Sequence, residues 1–263
     1  MQKSYKKHKL SFDEQYCKYG TDSWEKMNRD TTLTPIIRKR IVDFINSNID
    51  PVNRMKILDV GCGFGEILMQ IQDVFKEFNP ILTGCDISDV MIKSAKNKTV
   101  GISFNTSLAE QLPYEDNSFD YILCTEVLEH VINPSQTITE IVRVLKPDGT
   151  VLITTPHSKW LDAWGWYKFP INQVRWLRNK LSRKMEYTTL VKDEPLNATL
   201  LADIIIKNNV QIVSHGFMSL HSPYYGFLPK FTRKAQVRLY ESLEEKVKEQ
   251  LHCTQTLVGK IKK

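Results

Sequence analysis

The sequence predicts an α/β fold in which helices cover both faces of a largely parallel sheet. Short apolar segments of strand length alternate with amphipathic segments of helix length, and the first strand ends in three alternating glycines. Polar residues follow the ends of several strands. Strands separated by helices pair in parallel through right-handed crossovers. A chain of 263 residues is long enough for one such domain with an added segment.

The first predicted strand, 56–60, runs directly into the loop Gly61-Cys62-Gly63-Phe64-Gly65. Glycine allows positive φ and close approach of a ligand to the backbone, and the amides that open the next helix face the same place. The dinucleotide fingerprint Gly-x-Gly-x-x-Gly has its third glycine one residue later. This spacing, with Asp59 two residues before the first glycine, favours a ligand with a cationic amino group. A nucleotide-binding loop or an ordinary strand-to-helix turn is the alternative.

Further strands are predicted at 81–85, 101–104, 119–124 and 150–154. Ser88 is placed to cap the helix after the second strand. Asp86, at the tip of that strand, is placed to accept both hydroxyls of a ribose, with a simple helix-start aspartate as the alternative. Ligands of such sheets bind outside the carboxyl ends of the strands, where Gly61, Asp86, Glu126 and Thr155 are expected.

The C-terminal third is less regular. A helix is predicted from Pro195, a strand over 210–220, an amphipathic helix over 231–250 and a last strand over 253–261.

Four motifs resemble the S-adenosylmethionine (SAM) dependent methyltransferases, in family order and spacing over residues 56–157. The glycine loop resembles their first motif, and residues 108–120 resemble Asp-Ala-Glu-x-Leu-Pro-Phe-x-Asp-x-Ser-Phe-Asp of the group that includes the ubiquinone and menaquinone biosynthesis enzymes. Residues 126–130 resemble Glu-x-Leu-Glu-His, and 143–149 resemble Arg-x-Leu-Lys-Pro-Gly-Gly. Leu108 replaces the family's acid and Asp148 the usual first glycine.

The resemblance implies a Rossmann-like, doubly wound seven-stranded sheet in the order 3-2-1-4-5-7-6, with the last strand antiparallel. We expect a helical N-terminal cap (1–50), a SAM-binding core (51–157), an aromatic and basic insertion after strand five (158–194) and a C-terminal completion of the same domain (195–263). The resemblance also implies a set of SAM-binding candidates at the strand ends: Asp59, Gly61, Cys62, Gly63, Asp86, Ile87, Leu108, Ala109, Thr125 and Glu126.

Glu126, Glu129 and His130 are spaced i, i+3 and i+4, so on a helix they would share one face. Two carboxylates and an imidazole there could hold a divalent cation such as Mg²⁺. His130 with Glu129 could instead act without metal, as a general base for a hydroxyl acceptor. A purely structural role at a helix break is the third alternative.

The amino-acid composition indicates which partners the protein could bind and in which compartment it is expected. The net charge of +6 suits an anionic partner, or simple solubility. The five cysteines lack metal-like spacing and are expected as buried free thiols, so the predicted location is cytoplasmic, since no secretory signal is recognised. Tryptophans and basic residues in 160–185 suggest peripheral contact with a membrane, with a substrate lid or a homodimer contact as alternatives.

The sequence therefore predicts a SAM-dependent methyltransferase for a small-molecule or lipid-like acceptor, with a hydroxyl oxygen as the favoured nucleophile. The alternatives are an RNA 2′-O-methyltransferase, a nicotinamide-dependent oxidoreductase and an inactive interaction module. A nucleic-acid acceptor is disfavoured.

Overall fold

The computed structural model describes residues 34–156, 196, 198–218 and 254–261, which contain a seven-stranded sheet in the order β3-β2-β1-β4-β5-β7-β6. The first five strands pair in parallel, and β7 is antiparallel to both β5 and β6. The predicted strand order and the antiparallel last strand are confirmed. The strands are β1 (Lys56–Val60), β2 (Ile81–Asp86), β3 (Ile102–Thr106), β4 (Phe119–Thr125), β5 (Leu145–Pro156), β6 (Val210–Met218) and β7 (Thr254–Ile261).

Local sequence signals set where several helices begin. Ser88 accepts a hydrogen bond from the amide of Met91 and caps one helix, as predicted. Asn133 caps another by accepting from the amide of Gln136, and Pro134 occupies its first turn, where a missing N–H costs nothing. The described helices are α1 (Thr34–Asn46), α2 (Glu66–Val74), α3 (Asp89–Lys98), α4 (Pro134–Val144) and α5 (Ala198–Lys207).

Both faces of the sheet are buried. Leu123 and Leu152 pack with α1, α2 and α3 on one face, whereas their neighbours Ile122 and Ile153 pack with α4 and α5 on the other. Central strands that are buried on both faces have nearly continuous apolar sequences, and the central strands of this sheet have such sequences. The layers hold the carboxyl ends of β1 to β5 in one fixed row.

The structure corrects one predicted boundary. The strand predicted at 150–154 begins at Leu145, and residues 146–149 form a bulge inside it, because Phe119 pairs with Leu145 and Tyr121 pairs with Thr150, which sets four residues of β5 against Asp120 alone. After the glycine loop, α2 ends at Val74 and a short 3-10 helix, Lys76–Phe78, follows it. Val74 is 44% exposed.

No helix forms at residues 126–133. Glu126 has a left-handed φ of 55°, the next residues form a turn closed by the His130 amide and the Val127 carbonyl, and α4 begins only at Pro134. The predicted single helix face for Glu126, Glu129 and His130 is therefore wrong.

The insertion at 158–194, most of the N-terminal cap and the helix predicted at 231–250 lie outside the described residues. Their roles, the domain boundaries and the homodimer stay predictions. Within the described ranges, none of the helices is long and apolar enough to cross a membrane.

Candidate active site

The ten predicted SAM-binding residues lie at or just beyond the carboxyl ends of four adjacent strands, β3, β2, β1 and β4. Asp59 is the penultimate residue of β1, and Gly61, Cys62 and Gly63 follow the strand. Asp86 ends β2, with Ile87 in the bend before α3, while Thr125 ends β4. The structure brings the whole set to one edge of the sheet.

The glycine loop is fixed to β2 and open on one side. The amides of Gly61 and Cys62 both donate to the carbonyl of Cys85, at 2.7 and 2.9 Å. A Cβ at Gly61 would overlap the Val127 side chain, whereas among the described residues a Cβ at Gly63 would have only the Met91 sulfur within 4 Å, at 3.8 Å. Gly63 therefore presents bare backbone to open space, with a φ of 54°.

Asp86 joins this loop to the second strand. Its Oδ2 accepts a hydrogen bond from the Gly63 amide at 3.0 Å, and its Oδ1 accepts one from the Ser88 amide at 2.9 Å. These two bonds fix the orientation of the carboxylate at the tip of β2.

Asp59 is a buried carboxylate whose two oxygens accept no hydrogen bond from the part of the chain that the structure describes. It is 1% exposed. Burial, and to a lesser degree the charge of Asp86, raises its pKa to about 8. An unsatisfied buried acid is costly unless a cation or donor completes it. The cationic amino group of SAM is such a partner, so the residues present fit that cofactor.

The buried thiols beside the site are poor nucleophiles. Burial raises the pKa of Cys62 and Cys124 well above the usual value, and raises that of Cys85 to about 12. These three cysteines are free and buried, as predicted. A thiol that remains protonated neither attacks nor binds metal readily.

The loop after β3 carries the two residues expected at the adenine edge. Leu108 and Ala109 are half-buried, and Ala109 packs against the core between the sheet and α4. The loop turns at once, with the Gln111 amide donating to the Leu108 carbonyl at 3.2 Å. Two half-buried apolar side chains thus lie at the start of this loop.

Two glutamates after β4 contact two successive threonines of β5. Thr154 donates from its hydroxyl to Glu126 Oε1 at 3.0 Å, and Thr155 donates to Glu129 Oε2 at the same distance. Glu129 Oε1 lies 3.8 Å from His130 Nε2. Glu129 is 3% exposed and the His130 side chain 33% exposed, so the ring is the accessible member of the pair.

The proposed three-ligand metal site does not fit this arrangement. Successive residues of a strand point to opposite faces of the sheet, so Thr154 and Thr155 hold Glu126 and Glu129 on different sides. Among the residues that the structure describes, no three His, Cys, Asp or Glu side chains are grouped as metal ligands. We therefore derive no step through Mg²⁺.

Three polar partners of the site were not predicted. Thr154 and Thr155 appeared only as residues at a strand end, and Glu110 only as part of a motif. Glu110 is buried, and its Oε1 accepts from the amides of Ile132 and Asn133. In the sequence Glu110 lies between Ala109 and Gln111, and its partners are more than 20 residues away, so no local signal identifies it.

Comparison with known proteins finds methyltransferases that are similar to this chain. Residues 58–153 match the family model described as a methyltransferase domain. A ubiquinone biosynthesis O-methyltransferase of Bartonella tribocorum is 29% identical over 62% of this chain and 70% of its own length. A ubiquinone/menaquinone biosynthesis C-methyltransferase of Rickettsia akari is 34% identical over 44% of this chain. That match spans about half the length of the Rickettsia protein.

Solved structures share the fold at low identity. A SAM-dependent methyltransferase from Mesorhizobium loti superposes with a TM-score of 0.54 and 17% identity, over 86% of this chain and 96% of that one. The cyclase SpnF superposes with a TM-score of 0.56 and 20% identity, over 84% and 80%. Because the neighbours include a cyclase, the fold alone does not give the reaction. The family model that matches residues 58–153 and the relatives that the chain resembles support a SAM-dependent methyltransferase.

Proposed function

We propose that the chain transfers the methyl group of SAM to a hydroxyl oxygen of a small or lipid-like acceptor, with His130 as the general base. The observation that carries this proposal is the series Thr155, Glu129, His130. One oxygen of a buried carboxylate is held by a threonine, and the other faces an accessible imidazole.

Thr155, Glu129 and His130 are arranged as a general base whose ring is oriented by a fixed carboxylate. Thr155 fixes the Glu129 carboxylate, and the carboxylate lies where it stabilises the imidazolium that forms when His130 takes a proton. Glu129 does not itself need to accept the proton. His130 is partly exposed at the carboxyl edge of the sheet. Because Nε2 faces Glu129, Nδ1 is the nitrogen that would take the proton of the acceptor, and since Nδ1 is buried from solvent, the acceptor must approach it from within the site.

The cofactor side of the proposal assigns a role to each strand end. Asp59 pairs with the cationic amino group, Gly61, Cys62 and Gly63 offer backbone, and Asp86 accepts the ribose hydroxyls. Ile87, Leu108 and Ala109 flank the adenine, while Thr125 and Glu126 close the side towards β4. Bound SAM supplies a methyl group activated by a sulfonium. The protein aligns that methyl group with the acceptor, which is the largest part of the catalysis such a transfer needs.

The acceptor class rests on the relatives and on composition. Their names include O- and C-methyltransferases of ubiquinone biosynthesis, and the reduced form of a quinone is an aromatic ring that carries hydroxyls. A hydroxyl acceptor is the one that requires a base, and the chain offers one. We therefore propose a hydroxylated aromatic ring, with residues 160–185 contacting a membrane or covering the acceptor.

Two alternatives lose support. The methyltransferase family match gives no support to a nicotinamide oxidoreductase. The RNA 2′-O-methyltransferase alternative drew on the positive net charge and on Glu126, Glu129 and His130, and these three residues do not lie on one helix.

The experiment is a transfer assay with methyl-labelled SAM and three acceptor classes: a catechol, a prenylated hydroxyquinol in detergent, and RNA. We expect label in a methyl ether of the phenolic acceptors. The variant His130→Gln should lower kcat by about 10² to 10⁴ and remove the fall in rate at acidic pH.

Two threonine variants make a matched pair in the same assay. Thr155→Val removes the hydroxyl that orients Glu129, and Thr139→Val removes one on the exposed side of α4. The first should lower kcat by about tenfold, the worth of one hydrogen bond, and the second should not. Label on a ring carbon, or full activity of His130→Gln, would contradict the base assignment.

A further inference from the structure

The loop that follows β3 is held at its first half by a single buried carboxylate. Glu110 is 7% exposed, and its Oε1 accepts hydrogen bonds from the amides of Ile132 and Asn133, at 2.9 and 3.3 Å. Those two amides come directly after the turn that carries Glu129 and His130. One oxygen atom thus links the loop expected at the adenine to the backbone that supports the base.

The second half of the same loop is bound to α4. Glu140 Oε2 accepts from the Leu112 amide at 2.8 Å. Arg143 donates to the carbonyls of Leu112 and Tyr114, at 2.9 and 2.7 Å, and to Asp116 at 2.8 Å. Because Asn133 is also the cap of α4, the loop, the turn and the helix are joined at both ends.

This arrangement gives Glu110 a position between two sites. Leu108 and Ala109, two residues and one residue before it, are assigned to the adenine, and Ile132 lies two residues after His130. A ligand that holds the loop in place therefore holds the Glu110 carboxylate, and the carboxylate holds the two amides of the turn.

We propose that Glu110 is a positioning residue that couples occupation of the cofactor site to the ordering of Glu129 and His130. The inference rests on the proposed function, because it takes the adenine position and the base from it. The coupling makes the acceptor side competent when the cofactor is bound. Arg143 and Glu140 belong to α4 and bind the second half of the loop, at Leu112, Tyr114 and Asp116, so they stabilise the loop without contacting the turn that carries His130.

The test is hydrogen exchange of the full chain with and without S-adenosylhomocysteine (SAH), the demethylated product. In the wild type, SAH should slow exchange at amides 61–65 of the glycine loop and at 129–131. The latter amides are not bonded to Glu110, so they report ordering of the turn and not the loss of a bond. SAH affinity is measured in parallel by calorimetry.

Three variants separate coupling from simple packing. Glu110→Ala should keep the SAH effect at 61–65 but lose it at 129–131, with SAH binding about five- to tenfold weaker, the worth of one hydrogen bond. Glu110→Gln keeps an acceptor oxygen for the two amides and should restore most of the effect at 129–131. Glu115→Ala, an exposed change in the same loop, should behave as the wild type.

Two results would overturn the coupling while SAH still binds the wild type. One is persistence of the SAH effect at 129–131 in Glu110→Ala, and the other is equal loss in Glu110→Gln. If Glu110→Ala does not fold, Glu110→Asp, which withdraws the oxygen by one methylene, makes the same comparison. Failure of SAH to bind the wild type would instead refute the cofactor assignment, and the coupling with it.

Discussion

The Asp86 carboxylate accepts a hydrogen bond from the Gly63 amide, with 3.0 Å between Oδ2 and the nitrogen. The two residues are far apart in the chain and lie at the carboxyl ends of the neighbouring strands β2 and β1. Their contact holds the open face of the glycine loop beside the acid assigned to the ribose. A ligand that spans the two strands therefore meets a prearranged site.

Gly63→Arg should abolish cofactor binding without unfolding the core. The arginine side chain would enter the space that Gly63 leaves open, and the left-handed φ adds a strain of about 1 to 2 kcal/mol. Gly101→Arg is a matched control, because Gly101 also has positive φ, 81°, but lies before β3, at its other end. Calorimetry should show at least a hundredfold loss of SAH affinity for the first variant alone. Equal losses in both would contradict the assignment.

Asp59 should make the stability of the ligand-free protein fall as pH rises. Its pKa is raised from 3.8 to about 8, so between these values the folded state binds more protons than the unfolded state. The free energy of unfolding must then decrease from about pH 4 to pH 8, by up to about 1.4 kcal/mol per unit of pKa shift.

Urea unfolding at pH 5, 6, 7 and 8 measures this effect. Asp59→Asn cannot titrate, so its stability relative to the wild type should improve by a few kcal/mol across that range. The same variant should bind SAH more weakly, since the cationic amino group loses its partner. Parallel pH dependences of the two proteins would contradict a buried, unsatisfied carboxylate.

Arg143→Lys should destabilise the fold although it keeps the charge. Arg143 donates to both oxygens of Glu140, to Asp116 and to two backbone carbonyls, a geometry that an ammonium cannot reproduce. We expect a loss of about 2 kcal/mol. Lys39→Ala is the control, because the Lys39–Asp43 pair is largely exposed and should contribute under about 0.5 kcal/mol.

The same network predicts a loss of stability in acid. Hydrogen bonds from Arg143 lower the pKa of Glu140 below its ordinary 4.5. A lowered pKa contributes stability above the unfolded value, and this contribution disappears as pH falls through the folded value. Thermal unfolding from pH 6 down to pH 3 should therefore show a smaller decrease for Glu140→Gln than for the wild type.

Chelation should leave methyl transfer intact. Glu126 and Glu129 are held by threonines that point to opposite faces of the sheet, so the pair is not arranged as ligands of one cation. Activity should be unchanged after treatment with EDTA. Glu126→Gln, which keeps an acceptor for Thr154, should stay within a few fold of the wild type. A loss on chelation that Mg²⁺ restores would show that the acids act as ligands.

Most of the sheet and its order were predictable because each strand carries its own signal. Apolar runs mark β1, β2 and β4, Ser88 marks the start of α3, and the motifs give the order of the strands. The bulge at 146–149 was not predictable, because it depends on the register between β4 and β5, a tertiary property.

For the acidic residues after β4, the local spacing in the sequence predicted the wrong structure. Spacing of three and four residues predicted one helix face, yet Glu126 adopts a left-handed conformation and donates its amide to the Thr154 carbonyl. That contact with a strand distant in sequence outweighs local helical preference. Thr155 and Glu110 were missed for the same reason, since their partners are distant in sequence and no local pattern reveals them.

The most direct measurement is calorimetric titration of the wild-type chain with SAH and, separately, with NAD⁺. SAH binding at one site per chain, lost in Asp86→Ala and in Gly63→Arg, with no heat from NAD⁺, is the predicted result. Binding of NAD⁺ at the same edge of the sheet, or SAH affinity that is indifferent to both substitutions, would contradict the account.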